Sequence, residues 1–227
     1  MRGQGSVTYG LRRMAFKRFY RLLPAAAFTL LLGMAAAIAE PYRIVGFGDS
    51  LMAGYQLDPG QSFPEKLEAA LTARGHDVVI ANAGVSGDTS SGGLSRLDWS
   101  VPDGTGLVIL ELGANDMLRG ISPDITEKNL DAMLARLQAR NIAVLLAGMR
   151  AAPNLGPDYQ EAFDGLYPRL AEAHGVPFYP FFLDGVAGNA ALNQADGMHP
   201  NAAGVDLIVE HILPAVEKAV ASLPRNS

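Results

Sequence analysis

The chain predicts a three-layer α/β/α domain built on a doubly wound parallel sheet, and three observations predict it. Short apolar runs alternate with segments of helical spacing through residues 40–227, the order expected of parallel strands joined by right-handed crossovers. One run, Leu107–Leu112, is continuous enough to be a strand buried on both faces. No repeat, linker or composition break divides the stretch, so it reads as a single domain.

Ahead of that domain the charge is one-sided. Residues 1–39 contain six basic residues (Arg2, Arg12, Arg13, Lys17, Arg18, Arg21) and no acidic one. Leu22-Leu23-Pro24 and an apolar run from Ala25 to Ile38 follow, closing on Ala37-Ile38-Ala39 before Glu40. A basic segment, a short apolar core and an Ala-x-Ala ending are the parts of a secretory signal peptide. The expectation is an N-terminal extension and leader over 1–39, cleaved after Ala39, and a periplasmic or secreted domain over 40–227. Met14 starts a more ordinary leader of its own, which would leave Arg12-Arg13 outside it. The competing reading is an anchor, since Leu22–Ala39 reaches the short end of a membrane span.

Within the domain, Arg43–Phe47 is a β-like run. Ser62–Ala73 has helical spacing, with Pro64 suited to a first turn. Asp77–Ala81 is the second run, and a Gly- and Ser-rich loop follows from Asn82 to Gly93. Leu107–Leu112 is the third strand. Ile125–Arg140 reads as an amphipathic helix with Ile125, Leu130, Met133, Leu134 and Leu137 on one side. Ile142–Gly148 is a fourth strand, Tyr159–His174 a helix, Val176–Tyr179 a fifth strand and Ala202–Leu223 a last helix. The arrangement is of the flavodoxin-like kind.

Composition narrows the chemistry. With 227 residues, 49% of them apolar and 18% charged, the chain builds a core and is not intrinsically disordered. It has no cysteine, which excludes disulfides, a thiol nucleophile and thiolate metal sites. The formal net charge is −5. Removing the six leader cations leaves 12 basic against 23 acidic residues, a net −11. Such a body repels nucleic acid and anionic lipid, so a lipid-like substrate must be held by its apolar part.

Open α/β sheets bind ligands beyond the carboxyl ends of their strands, and the distinctive residues lie there. Gly48-Asp49-Ser50-Leu51 follows the first strand, with Gly54-Tyr55 close behind. Asn82-Ala83-Gly84-Val85-Ser86-Gly87-Asp88-Thr89 follows the second, and Gly113-Ala114-Asn115-Asp116 the third. Asp196-Gly197-Met198-His199-Pro200 follows the fifth. These four blocks, in this order, resemble those of the SGNH (GDSL) hydrolase family, and the resemblance spans about residues 43–220. Segments outside the blocks resemble its periplasmic arylesterase, thioesterase and lysophospholipase branch. Among them are Leu118-Arg119-Gly120, Asn129, Asn154, Tyr159, Tyr167-Pro168 and Pro180-Phe181-Phe182.

The resemblance implies a serine esterase acting on carboxylic esters and thioesters. Ser50 would be the nucleophile, His199 the base and Asp196 the carboxylate that fixes the imidazole tautomer. It also implies an oxyanion hole from the Ser50 N–H, the Gly87 N–H and the Asn115 amide. Gly84 competes for the glycine role. Gly87 is favoured because Ser86-Gly87-Asp88-Thr89 matches the periplasmic branch. The α/β-hydrolase elbow is absent, because Gly84-Val85-Ser86-Gly87-Asp88 fails at its last position. No cofactor and no metal is implied, the partner is a small ester or thioester with an apolar part, and the protein is expected to act as a monomer without membrane insertion. The alternatives are a carbohydrate O-acetylesterase on the same fold and a non-catalytic, flavodoxin-like ligand binder.

Other notable residues have plainer expectations. Asp49 and Asp116 should brace loops by accepting backbone N–H bonds. His76, His174 and His211 should be solvated or satisfied by helix dipoles. Trp99 and Tyr55 should be packing residues, and Met133, Leu134 and Leu137 core.

Overall fold

Branched and leucine side chains crowd the segments that become strands, and the sheet they form is the centre of the molecule. The structure is a computed structural model and describes residues 40–223. The leader over 1–39 and its cleavage after Ala39 lie outside the described residues. Strands β1 (Tyr42–Gly48), β2 (Val78–Gly84), β3 (Leu107–Glu111), β4 (Ala143–Ala147) and β5 (Phe178–Tyr179) are all parallel, in the order β2-β1-β3-β4-β5. This is the doubly wound flavodoxin-like order. All five residues of β3 are fully buried, as its continuous apolar run requires.

Seven helices flank the sheet: α1 (Ser50–Ala53), α2 (Phe63–Ala73), α3 (Ser90–Ser100), α4 (Ala114–Leu118), α5 (Pro123–Ala139), α6 (Pro157–His174) and α7 (Ala202–Ala221). Right-handed crossovers put α2 and α7 on one face, packed together, and α3, α5 and α6 on the other. Helix starts are set by local chemistry. Ser62 and Glu65 form a reciprocal capping box at α2, with Pro64 in the first turn. Prolines also stand in the first turns of α5 and α6, which therefore begin earlier than apolar spacing alone suggests.

Two expectations are corrected. The Gly/Ser-rich segment read as a loop to Gly93 becomes helical from Ser90, because tertiary packing outweighs its poor propensity. Thr89 caps it, and Gly93 lies so close to the sheet that a Cβ there would stand 2.3 Å from Leu112 Cδ1. Ile125 is 48% exposed, and Thr126 takes the inward position instead.

Register positions the chemistry. Gly48 at the end of β1 lies opposite Gly84 of β2 and Glu111 of β3. The first three blocks therefore leave the sheet at one level. The chain turns opposite ways from β1 and β3, and the crevice of such a sheet opens between them.

Candidate active site

Ser50 is the first residue of α1, immediately after β1 and the capping residue Asp49. The Asp49 carboxylate accepts the Leu51 N–H at 3.0 Å, which stops the strand and starts the helix. The turn brings the Ser50 hydroxyl within 2.9 Å of His199 Nε2. The other ring nitrogen, Nδ1, lies 2.6 Å from Asp196 Oδ2. Ser50, His199 and Asp196, 149 and three residues apart in sequence, are thus joined in one hydrogen-bonded line.

The final block is a tight loop. Asp196 Oδ1 accepts the N–H groups of Met198 and His199, at 2.9 and 3.0 Å. These bonds and the one to the imidazole hold the Asp196 carboxyl well down, to about 2. It stays a carboxylate across the physiological range, so the ring nitrogen facing it must carry a proton. The free lone pair of neutral His199 is then on Nε2, facing Ser50.

Three donors border the same space. The Ser50 N–H, at the start of its helix, and the Gly87 N–H have no protein acceptor among the described residues. Val85 and Asp88 close a turn with Gly87 at φ +83°, a conformation that favours glycine. The Gly84 N–H is already taken by Asn82 Oδ1 at 2.9 Å, whereas that of Gly87 is not. Asn115 enters from the first turn of α4, after Gly113, where φ is +121° and a Cβ would stand 2.2 Å from the Tyr167 hydroxyl. One amide hydrogen of Asn115 goes to Asp49 Oδ2 at 2.9 Å, leaving the second for another acceptor.

These groups line a cleft of about 660 Å³ whose other walls are largely apolar, with Met117, Leu118, Met149, Pro153, Phe181 and Met198 among them. Met117 and Leu118 are the last two residues of α4. Leu118 and Met198 are more than half exposed at its mouth.

A profile of the GDSL-like Lipase/Acylhydrolase family matches residues 47–207. The chain belongs to this family. The GDSL-like assignment agrees with the resemblance drawn from the four blocks. Esterase TesA of Pseudomonas aeruginosa is 38% identical over 197 residues, covering 86% of this chain and 97% of that protein. The thioesterase 1/protease 1/lysophospholipase L1 of Escherichia coli K12 is 38% identical over 189 residues, covering 83% and 88%. The crystal structure of AlinE4, an SGNH-hydrolase family esterase, superposes with a TM-score of 0.68 at 50% identity, covering 81% of this chain and 99% of that one.

Several contacts in this GDSL-like site were not foreseen. Glu111, the one charged residue of β3, is wholly buried beneath Asp49, whose N–H reaches its Oε2 at 3.4 Å. Its Oε1 has no partner among the described residues. Burial, with the Asp49 charge nearby, pushes the Glu111 carboxyl well up, favouring its neutral form. Burial likewise raises Asp49, to about 6, against the opposing bonds from Leu51 and Asn115 and the attraction of His199. Arg96 moors the second block: it bonds Asp88 Oδ2, the Ala83 carbonyl and the Gly48 carbonyl at 2.5–2.8 Å, with its guanidinium 4.1 Å above Phe47. The sequence signals were faint, a single Glu ending an aliphatic run and a single Arg in a Gly/Ser segment.

Asp116 braces loops as expected, but through hydroxyls as well as backbone. It accepts the Ser90 N–H at 2.7 Å, the Ser90 hydroxyl at 2.5 Å and Thr126 Oγ1 at 3.2 Å, fastening α3 to α4 and α5. Tyr55 packs against His199, their rings 4.5 Å apart, at the cleft wall. Trp99 is 75% exposed. His76 and His174 contact Glu217 and Asp131 instead of being merely solvated, and His211 lies near Asp184. Among the described residues no helix is long and apolar enough to cross a membrane, and no cluster of His, Asp and Glu could hold a metal ion.

Proposed function

We propose that this enzyme is an exported serine esterase that hydrolyses carboxylic esters and thioesters with an apolar acyl or aryl part. The observation that carries the reading is the hydrogen-bonded line Ser50–His199–Asp196 at the floor of an apolar cleft. In it, His199 Nε2 takes the proton of Ser50 as the hydroxyl attacks the substrate carbonyl. The oxyanion that forms is met by the N–H groups of Ser50 and Gly87 and the free amide hydrogen of Asn115. Asp196 balances the imidazolium. His199 then hands its proton to the leaving alcohol or thiol, and the acyl group remains on Ser50. Water, deprotonated by the same imidazole, attacks that ester, releases the acid and restores the hydroxyl.

The apolar wall favours acyl and aryl groups over the polar acetylated sugars of an O-acetylesterase. A phosphate-binding loop is disfavoured too: Asp88 and Ser90 in the second block are engaged by Arg96 and Asp116. The relatives' names, esterase and thioesterase/lysophospholipase, support breadth toward the leaving group. Export rests on the leader over 1–39, with the hydrolase domain in 40–227. All the proposed catalytic groups come from one chain, so a monomer suffices.

The test is a fluorophosphonate probe on the protein beginning at Glu40, followed by a panel of aryl esters, acyl thioesters and lysophospholipids of graded acyl length. Labelling on Ser50 and turnover that rises with acyl length beyond acetate are expected. Absence of labelling, or activity confined to acetylated sugars, would refute the reading.

A further inference from the structure

Asp49 is a nearly buried carboxylate behind the proposed nucleophile that the mechanism leaves unused. Its Oδ1 accepts the Leu51 N–H and its Oδ2 accepts an Asn115 amide hydrogen at 2.9 Å. We propose that Asp49 is a positioning residue that acts through Asn115, its ionised carboxylate setting the orientation in which that amide meets the oxyanion. The inference rests on the esterase reading.

An ionised carboxylate can only accept hydrogen bonds, so it must face the nitrogen of the Asn115 amide and never its oxygen. With one amide hydrogen fixed on Asp49, the second can point only along the remaining direction of a planar NH₂ group. A neutral partner removes that constraint. A protonated carboxyl, or an amide in its place, can donate to Asn115 Oδ1 and stabilise the flipped side chain. Flipping would turn a carbonyl oxygen toward developing negative charge, where a donor is needed.

The surroundings of Asp49 make its charge responsive. His199 faces it from the loop before α7, Glu111 from the end of β3, and Asp88, paired with Arg96, from the segment joining β2 and α3. Burial favours the neutral form of Glu111, and Asp88 is partly balanced by Arg96. Burial also keeps the carboxyl of Asp49 itself near 6. Acidification through that range neutralises Asp49 and releases the Asn115 amide. Removing Asp49 eliminates this source of acid loss.

Two variants separate positioning from helix capping. Asp49→Ser keeps a good N-cap for α1 but is too short to reach Asn115, and Asp49→Asn keeps both size and cap. Measured on one aryl ester, both should lose about 10–10²-fold in kcat with KM within about twofold, because the oxyanion contact exists only in the transition state. Both should still be labelled at Ser50 by a phosphonate, and the acid midpoint of kcat that wild type owes to Asp49, near 6, should be absent from both. A residue that only capped the helix would move neither kcat nor the midpoint. An active wild type matched by Asp49→Ser in both quantities overturns this assignment alone. A wild type that turns over no ester and takes no phosphonate overturns the esterase reading and this assignment with it.

Discussion

Replacing Asp49 by Asn should make the protein gain stability relative to wild type as the pH rises while making it a slower enzyme, and the size of the gain follows from the carboxyl's burial. Burial raises this carboxyl from 3.8 to about 6 in the folded chain. A carboxyl with a folded pKa above its unfolded value contributes stability while protonated, below pH 3.8, and loses that contribution as the pH rises through 6. Each pH unit of the displacement is worth about 1.4 kcal/mol, so the ionised group costs the fold about 3 kcal/mol above pH 6. Asn carries no charge at any pH. The stability of Asp49→Asn relative to wild type should therefore climb by about 3 kcal/mol between pH 3 and pH 8, whatever constant offset its changed hydrogen bonds impose. Urea unfolding followed by far-ultraviolet circular dichroism at several pH values measures the difference, and comparison with wild type cancels the groups that do not sense the Asp49 charge. A stability difference that is flat with pH, or that falls toward pH 8, would show that Asp49 is not carrying a costly buried charge.

Three further outcomes are expected. Ser50→Ala should abolish ester turnover and phosphonate labelling while the circular dichroism spectrum stays native; wild-type turnover in the folded variant would remove Ser50 from the mechanism. Asn115→Ala should cost about 10²–10³-fold in kcat, or roughly 3–4 kcal/mol, with little change in KM. Asn115→Asp should fare no better in steady-state assays, because it sets a second carboxylate against Asp49 Oδ2, 2.9 Å away, and near-normal kcat there would exclude the amide from the oxyanion hole. Bulky replacements at Ala37 and Ala39 should block processing, since cleavage sites admit small side chains; mass spectrometry of the exported protein should find Glu40 first in wild type, and an intact Leu22–Ala39 segment would indicate an anchor.

The parts of this molecule that were readable in the sequence are those governed by period and position. Leu107–Leu112 announces a buried strand by its unbroken run, and the four blocks stand at strand ends, where such a sheet opens. That sufficed for the layer architecture and for gathering Ser50, Asp196 and His199. Less readable were features decided by contacts distant in sequence. Helix α3 forms from a glycine- and serine-rich stretch because Gly93 fits against Leu112 and Asp116 ties down Ser90. Tyr55 reads as a packing residue, but nothing in Gly54-Tyr55 says that its packing partner is His199. Glu111 and Arg96 show the same limit: their burial follows from the neighbours that topology assigns, and local spacing is silent about those. The preference for Gly87 over Gly84 came from Ser86-Gly87-Asp88-Thr89; the hydrogen bond from the Gly84 N–H to Asn82 is a further reason that no motif encodes.

The exposure of Trp99 has a practical consequence for watching this protein. It is the chain's single tryptophan, and it stands 75% exposed on the outer side of α3. An indole already in water in the folded state emits as it would in the unfolded one, so intrinsic fluorescence is nearly blind to loss of the core. The same residue becomes a clean optical reporter of anything that covers α3. A blue shift of its emission would signal a surface docking there, with no contribution from the hydrolytic cleft or from global unfolding.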